Sequence, residues 1–309
     1  MDDKTNDNRK TPQKDDMNDS PTHAPILPEK PAILFFDFDG TIKPAKLEVA
    51  PADIDALAEL KSQGLTLVAA TGRGIFSFRR SCPKGLSPDH LIFSSGLGLC
   101  RWTDDGPGPI VFSRRFTVEE RDRALAACLE IKRGFYAFEP PPDCHKHVYF
   151  DPENFPQTAG YAQRLISYQE FATPYRLGQD LGPRSEFLIT APIAEMPAVK
   201  AQFEKICPGL SLLFSSSPFG DPSMWLEILP PGVNKGEAAK RLAQILGVER
   251  ENCVAIGNDF NDLELLSWAG SAFVTANGAE DLKKLFQTAP SVADNPIRWL
   301  GRLLSPRLS

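Results

Sequence analysis

Apolar positions along the chain fall into two alternating patterns. Ala32-Ile33-Leu34-Phe35-Phe36 is a continuous apolar run that breaks into Asp37-Phe38-Asp39-Gly40-Thr41. A short run apolar on both faces, closed by a glycine-containing turn, predicts a buried parallel strand. Residues 52–63 then carry Ile54, Leu57, Ala58 and Leu60 at helical spacing, and Gly64 stops them. A second buried run at 65–70 ends in Thr71-Gly72-Arg73-Gly74. Strand, helix and strand in this order make a βαβ unit. The C-terminal part returns to the same style. It predicts a helix over 235–246, a strand over 252–256 ending in Gly257-Asn258-Asp259-Phe260-Asn261-Asp262, a helix over 263–269, a strand over 271–274 and a helix over 279–287. Such alternation predicts a doubly wound parallel α/β sheet.

The middle of the chain reads differently. Helices are predicted at 117–133, 157–171 and 195–206, and strands at 135–139, 147–150, 186–191, 210–214 and 224–229. This order suits a separate α+β domain inserted at about 102–228, between core segments 31–101 and 229–309. Residues 1–30 hold seven acids and five bases with few large apolar residues, which predicts a disordered tail.

Composition narrows the classes. The chain has 309 residues, 34 Lys+Arg against 40 Asp+Glu, and 42% hydrophobic residues. These values exclude a wholly disordered chain and a disulfide scaffold. A formal net charge of −6 argues against a broad nucleic-acid surface. No apolar run is long enough to cross a bilayer, and the polar N-terminus lacks the form of a secretory signal. Six scattered cysteines without a CxxC pair fit a reduced, cytoplasmic chain. Cys144-His145-Lys146-His147 groups possible metal ligands, but one short tract does not complete a zinc site.

The chemistry lies at the predicted strand ends, where open α/β sheets bind ligands. Asp37 and Asp39 follow the first strand, Thr71 and Gly72 the second, and Asn258, Asp259 and Asp262 the strand at 252–256, while Lys235 opens a helix. Two close carboxylates stay ionised only beside a cation. Oxygen ligands without His or Cys favour Mg²⁺, which binds through a few carboxylates and a substrate phosphate. A hydroxyl, a backbone amide and an ammonium can then hold phosphate oxygens. The substrate class implied is a small phosphorylated metabolite.

These residues resemble the haloacid dehalogenase (HAD) superfamily of phosphohydrolases. Asp37-Phe38-Asp39-Gly40-Thr41 is similar to its first signature, Ala70-Thr71-Gly72-Arg73 to its second, Gly232-Val233-Asn234-Lys235-Gly236 to its third, and Gly257 to Asp262 to its fourth. A chance Asp-x-Asp-Gly-Thr in a chain of this length has odds of about one in several hundred. The other signatures are individually weak, but the ordered set is specific. The resemblance covers about 31–295, and the long insertion resembles the cap of the Cof-type (class IIB) branch. It implies a Rossmann-like core with an inserted cap and a Mg²⁺-dependent phosphatase. It also implies that Asp37 attacks phosphorus to form an aspartyl-phosphate and that Asp39 acts as acid and base. Thr71, Gly72 and Lys235 would hold the phosphoryl group, and Asp37, the Asp39 carbonyl and the fourth signature would hold the metal. The family usually has Asp where this chain has Asn258, so Asp259 or Asp262 could supply the missing charge.

Other readings remain at this level. Asp37 and Asp39 could be turn acids, Thr71-Gly72 and Asn258-Asp259 helix caps, and Lys235 a solvated lysine. Arg73 could brace its turn or touch substrate. Ser95, in a turn after a core strand, and Asn261 are candidates for the substrate side of the cleft. His145 and His147 alternate on a strand and suit surface or cap-cleft positions. Phe135, Tyr136, Phe138 and Tyr149 could stack on a sugar or pack a core. A sugar-phosphate mutase or phosphotransferase, or a non-catalytic binding protein of the same fold, are the rival functions. Gly96-Leu97-Gly98 lacks the third glycine of a dinucleotide fingerprint, and no P-loop is present.

Overall fold

The first apolar run forms β1 (Ile33–Phe36), with every residue buried. Pro51 opens α1 (Pro51–Ser62), which lays Leu57 and Leu60 on the core. In the computed structural model, which describes residues 25–151 and 157–308, the chain continues through β2 (Thr66–Ala70), α2 (Ile75–Ser81), β3 (His90–Phe93), β4 (Gly98–Thr103) and β5 (Gly106–Ser113). It then leaves the core for α3 (Val118–Ile131), β6 (Phe135–Phe138), β7 (His147–Phe150), α4 (Ala159–Ser167), β8 (Ala172–Pro174), β9 (Glu186–Pro192), α5 (Met196–Ile206), β10 (Ser211–Ser216) and β11 (Ser223–Leu229). The return is α6 (Lys235–Leu246), β12 (Cys253–Gly257), α7 (Leu263–Trp268), β13 (Ser271–Thr275), α8 (Glu280–Lys283), β14 (Gln287–Ala289) and α9 (Pro296–Leu304).

The core sheet has the order β14-β13-β12-β1-β2-β3-β4-β5. It is parallel from β14 to β3, and β4 and β5 add an antiparallel edge. Both faces of the parallel part are buried, under one cluster that includes α1 and α9 and another that includes α6 and α7. This two-sided burial is why its strands read as continuous apolar runs. The fold is an α/β Rossmann-like core with an inserted α+β cap. β1 and β12 are adjacent, so residues 37–41 and 258–262 emerge side by side.

The cap sheet has the order β10-β11-β9-β6-β7-β8. Its strands alternate. Phe135, Ala137, Phe187, Ile189, Leu226 and Ile228 pack in one apolar cluster with residues of α3 and α5. The register puts Tyr136, Phe138, Glu186, Leu188, Trp225 and Glu227 on the opposite face. That face looks onto the core.

Three expectations change. Residues 102–113 lie in the β4–β5 hairpin, which pairs on β3. The core sheet therefore runs to Ser113, and the chain crosses to the cap sheet after it rather than at 102. The helix expected over 279–287 is a single turn at Glu280–Lys283, and Gln287–Ala289 instead pairs as an edge strand on β13. Of the tail expected over 1–30, residues 1–24 lie outside the described residues. Within 25–30, the Ile26 amide donates to Gln287 Oε1 at 2.8 Å and Leu27 packs against the core. All six cysteines are free thiols. Among the described residues no helix is long and apolar enough to cross a membrane.

Asp53 ties α1 to α9. Its Oδ1 accepts the Arg298 amide at 2.8 Å, satisfying one N–H in the first turn of α9. Its other oxygen is buried with no hydrogen-bond partner among the described residues. Burial pushes its pKa up to about 6. A folded-state pKa above the unfolded value means that the group's contribution is present at low pH and is lost as pH rises through about 6. Asp53→Asn keeps the acceptor and removes the buried charge. It is expected to stabilise the protein by about 1–3 kcal/mol at pH 8, and by little near pH 4. Denaturant titrations at the two pH values check this, and an equal difference at both would contradict it.

Candidate active site

The floor of the site begins where β1 ends. Asp37 is buried, and its Oδ1 accepts Lys235 Nζ at 2.7 Å while its Oδ2 accepts Thr41 Oγ1 at 3.0 Å. Gly40 turns the chain with φ +81°, and a Cβ there would stand 2.4 Å from the Asn258 side chain. Only glycine meets both conditions. Lys235 is the first residue of α6, whose start is capped by Asn234 Oδ1 accepting the Glu237 amide at 2.8 Å. Lys235 is fully buried, and its ammonium also donates to Asp262 Oδ1 at 2.6 Å and to Asn261 Oδ1 at 3.4 Å. Asp262 Oδ2 accepts the amides of Asn258 at 2.8 Å and Asp259 at 3.1 Å. One ammonium thus fastens β1's end to the β12 loop.

The second wall comes from β2 and β3. Thr71 Oγ1 accepts the Arg73 amide at 3.1 Å. Ser94, Ser95 and Gly96 all adopt positive φ. The Ser95 amide donates to the Thr71 carbonyl at 3.0 Å and the Ser94 amide to the Arg73 carbonyl at 2.9 Å. Two non-glycine residues in this region cost about 1–3 kcal/mol each, and such strain collects at functional sites. A Cβ on Gly96 would stand 2.1 Å from the Asn234 carbonyl, so its absence lets the turn meet the start of α6.

Above the floor is a cleft of about 370 Å³. Asp37, Asp39, Thr71, Gly72, Arg73, Asn258, Asp259 and Asn261 line it from the core. Phe138, Arg164, Glu186, Trp225 and Glu227 line it from the cap. The cap is fastened down at several points. The Ser216 amide donates to Asp259 Oδ2 at 2.8 Å, Ser77 and Tyr168 hydroxyls lie 3.1 Å apart, and Phe76 stacks on His145 at 4.5 Å.

Charge decides what the floor can hold. One ammonium serves two carboxylates, so one of them is left uncompensated. Burial, then the charge of Asp262, push Asp37 up to about 8, against the pull of Lys235. Burial works against the Lys235 ammonium, but Asp262 and Asp37 outweigh it and raise its pKa. A further cation beside Asp37 would restore the carboxylate. The neighbouring oxygens suit one. The Asn258 side-chain amide lies beside the Asp39 carbonyl at 2.9 Å, Asp37 Oδ2 at 3.0 Å and the Thr41 hydroxyl at 2.9 Å; its nitrogen donates to the first two when turned toward them, and its oxygen would share a cation with them. Adjacent ligands of an octahedral Mg²⁺ at 2.0–2.1 Å stand about 3 Å apart. The fit uses one carboxylate, one carbonyl and one amide. Among the described residues no group of three His, Cys, Asp or Glu side chains is placed to hold a metal ion.

The structure brings Asp37, Asp39, Thr71, Gly72, Lys235, Asn258 and Asn261 together. It gives several neighbours other partners. The Asp262 carboxylate is occupied by Lys235 and two amides, and Asp259 accepts the Phe260 and Ser216 amides. Neither is turned toward the Asp39 carbonyl as Asn258 is. Arg73 pairs with Asp39 through two hydrogen bonds, at 2.6 and 2.7 Å, and packs over Phe38. Ser95 is fully buried beside Gly72. His145 lies at the cleft. His147 is buried beneath Tyr136 and Phe138 rather than at the surface, and burial drives its pKa down to about 4. Phe138 faces the cleft, whereas Phe135 packs in the cap core. Sequence reading missed Glu186, Glu227 and Arg164. The one signal was a glutamate inside the apolar run Trp225-Leu226-Glu227-Ile228-Leu229.

Residues 34–295 match the haloacid dehalogenase-like hydrolases, and the chain belongs to that family. It is an enzyme of the HAD superfamily. An HMP-PP phosphatase of Yersinia pseudotuberculosis is 26% identical over 256 residues, covering 81% of this chain and 85% of the relative. One from Yersinia pestis gives the same figures. Among solved structures, a HAD phosphatase from Bacteroides thetaiotaomicron superposes with a TM-score of 0.69 at 16% identity, covering 93% of this chain and 99% of the other. A haloacid dehalogenase-like hydrolase from B. subtilis gives a TM-score of 0.70 at 18% identity, covering 88% and 99%.

Proposed function

We propose that the chain is a Mg²⁺-dependent phosphatase that hydrolyses a small phosphomonoester, a sugar phosphate by preference, through an aspartyl-phosphate. The observation that carries this reading is the juxtaposition of Asp37 with Lys235 and the Asn258 amide at one cleft floor, the lysine lying 198 residues further along the chain. The relatives named HMP-PP phosphatases support phosphate release as the reaction.

Asp37, the Asp39 carbonyl and Asn258 would hold Mg²⁺, which would neutralise phosphate charge and keep Asp37 ionised. Asp37 attacks phosphorus, and the bond to the leaving oxygen breaks as the Asp37–phosphorus bond forms. Lys235 restrains the attacking carboxylate, and Thr71 Oγ1 with the Gly72 amide receives phosphoryl oxygens. Asp39 gives a proton to the leaving oxygen and later takes one from water. Arg73 holds the Asp39 carboxylate through two hydrogen bonds, at 2.6 and 2.7 Å. An incoming phosphate competes for the guanidinium and frees Asp39 to carry the proton. The cap roof excludes bulk water from both steps.

The direct test is metal removal. After stripping with EDTA, turnover of 4-nitrophenyl phosphate is expected to fall below about 1% and to return with added Mg²⁺. Full turnover in the stripped protein would refute the metal role. With a hexose phosphate the product is expected to be free phosphate, and an isomerised sugar phosphate would instead favour a mutase.

A further inference from the structure

The cap roof carries groups that the phosphoryl chemistry does not use. Glu186 on β9 and Glu227 on β11 lie diagonally on neighbouring antiparallel strands, on the face that also presents Phe138 and Trp225. All four line the cleft. A carboxyl inside an apolar strand costs stability unless something binds it. Glu227 is buried, and its Oε1 accepts Ser215 Oγ at 2.9 Å. The same oxygen stands 3.5 Å from where a Cβ on Gly72 would be, so it reaches the phosphate end of the cleft. Among the described residues no donor hydrogen-bonds the Glu186 carboxyl. Burial, then the charge of Glu227, push the Glu186 pKa up, against the pull of Arg164.

The rest of the roof carries an opposite charge. The Arg164 guanidinium lies 4.8 Å from the Phe138 ring centre and 5.2 Å from that of Trp225. It makes no ion pair among the described residues, and its Nε is buried without a hydrogen-bond partner. Trp225 Nε1 is also buried and unpartnered. The roof therefore holds one guanidinium, two carboxyls and an aromatic wall. An apolar leaving group would bury the Glu186 carboxyl with no donor and leave Glu227 only that of Ser215, which a polar site rejects strongly. A neutral group with adjacent hydroxyls satisfies both acceptors.

We propose that Glu186 and Glu227 read the leaving group, accepting hydrogen bonds from adjacent hydroxyls of a polyol phosphate that lies along Phe138 and Trp225. This rests on the phosphatase reading above and assigns its specificity to two named side chains.

The experiment compares kcat/KM for a panel of hexose and pentose phosphates with that for 4-nitrophenyl phosphate. Wild type, Glu227→Gln and Glu186→Met are measured, all checked for an unchanged Tm. The ratio of the best polyol phosphate to the aryl phosphate is expected to fall about tenfold or more in each variant, chiefly through KM. A ratio that stays within about threefold of wild type overturns the assignment. So does a wild type that turns over no polyol phosphate faster than the aryl phosphate. Glucosamine 6-phosphate separates the donor types, since a loss confined to it, with glucose 6-phosphate untouched, overturns the polyol. Calorimetric binding of glucose 6-phosphate with Mg²⁺ is repeated in an Asp37→Asn background with and without Glu227→Gln. Binding there is expected to weaken about tenfold, and equal affinity overturns the proposal. This arm needs no turnover, so it separates failure of the reader from failure of the phosphatase reading.

Discussion

Asp37→Asn is expected to lower turnover of 4-nitrophenyl phosphate by about 10⁴-fold or more, without lowering Tm. The size follows from removing a nucleophile whose partners cannot act alone. The unchanged Tm follows from the geometry. Asn keeps the Oδ1 that accepts Lys235 at 2.7 Å, and it removes a buried carboxyl that lacks a full counter-charge. Thermal melting and steady-state kinetics on the same preparation check both halves. Residual turnover above about 1% would mean that another group attacks phosphorus. Trapping of beryllium fluoride in the presence of Mg²⁺, read by fluorine NMR, is expected in wild type and lost in the variant.

Lys235→Met has the second large effect, and it falls on both stability and activity. Lys235 is the one cation that hydrogen-bonds Asp37 and Asp262 among the described residues, and its side chain is fully buried. Removing one partner of a buried ionic cluster costs about 3–5 kcal/mol. For a chain of this size that is a Tm lower by roughly 10 °C. Turnover is expected to fall with it, because the ammonium also orients the attacking carboxylate. Asp262→Asn offers a comparison. It relieves the like charge that raises Asp37 while keeping an oxygen for Lys235, so its Tm is expected to lie well above that of Lys235→Met. If Lys235→Met melted like wild type, the buried ammonium would not be the clamp described here.

The core was readable because its physics is local. β1, β2 and β12 are buried on both faces, so their sequences are unbroken apolar runs, and each ends where polar residues begin. The helix at Lys235–Leu246 was read to the residue, since Asn234 caps one end and Gly247 turns left-handed at the other. Residues 102–113 of the β4–β5 hairpin were not read as core. Its alternating residues would suit either sheet, and only pairing on β3 assigns it. The edge strand β14 was absorbed into a helix for the same reason, because three residues carry too short a period to declare themselves.

The site divides along a similar line. The sequence by itself determined the composition of the floor: a carboxylate pair, a threonine and glycine, a lysine and a polar loop, each fixed to a strand or helix end by neighbouring residues. The tertiary structure decided which of these face one another. It turned Asn258 toward Asp37 and the Asp39 carbonyl, gave Asp262 to Lys235, and closed Arg73 on Asp39. It alone put Glu186, Glu227 and Arg164 over the cleft. A side chain's chemistry travels with its residue. Its partners depend on sheet order, strand register and the packing of a cap whose sequence alternates for its own core.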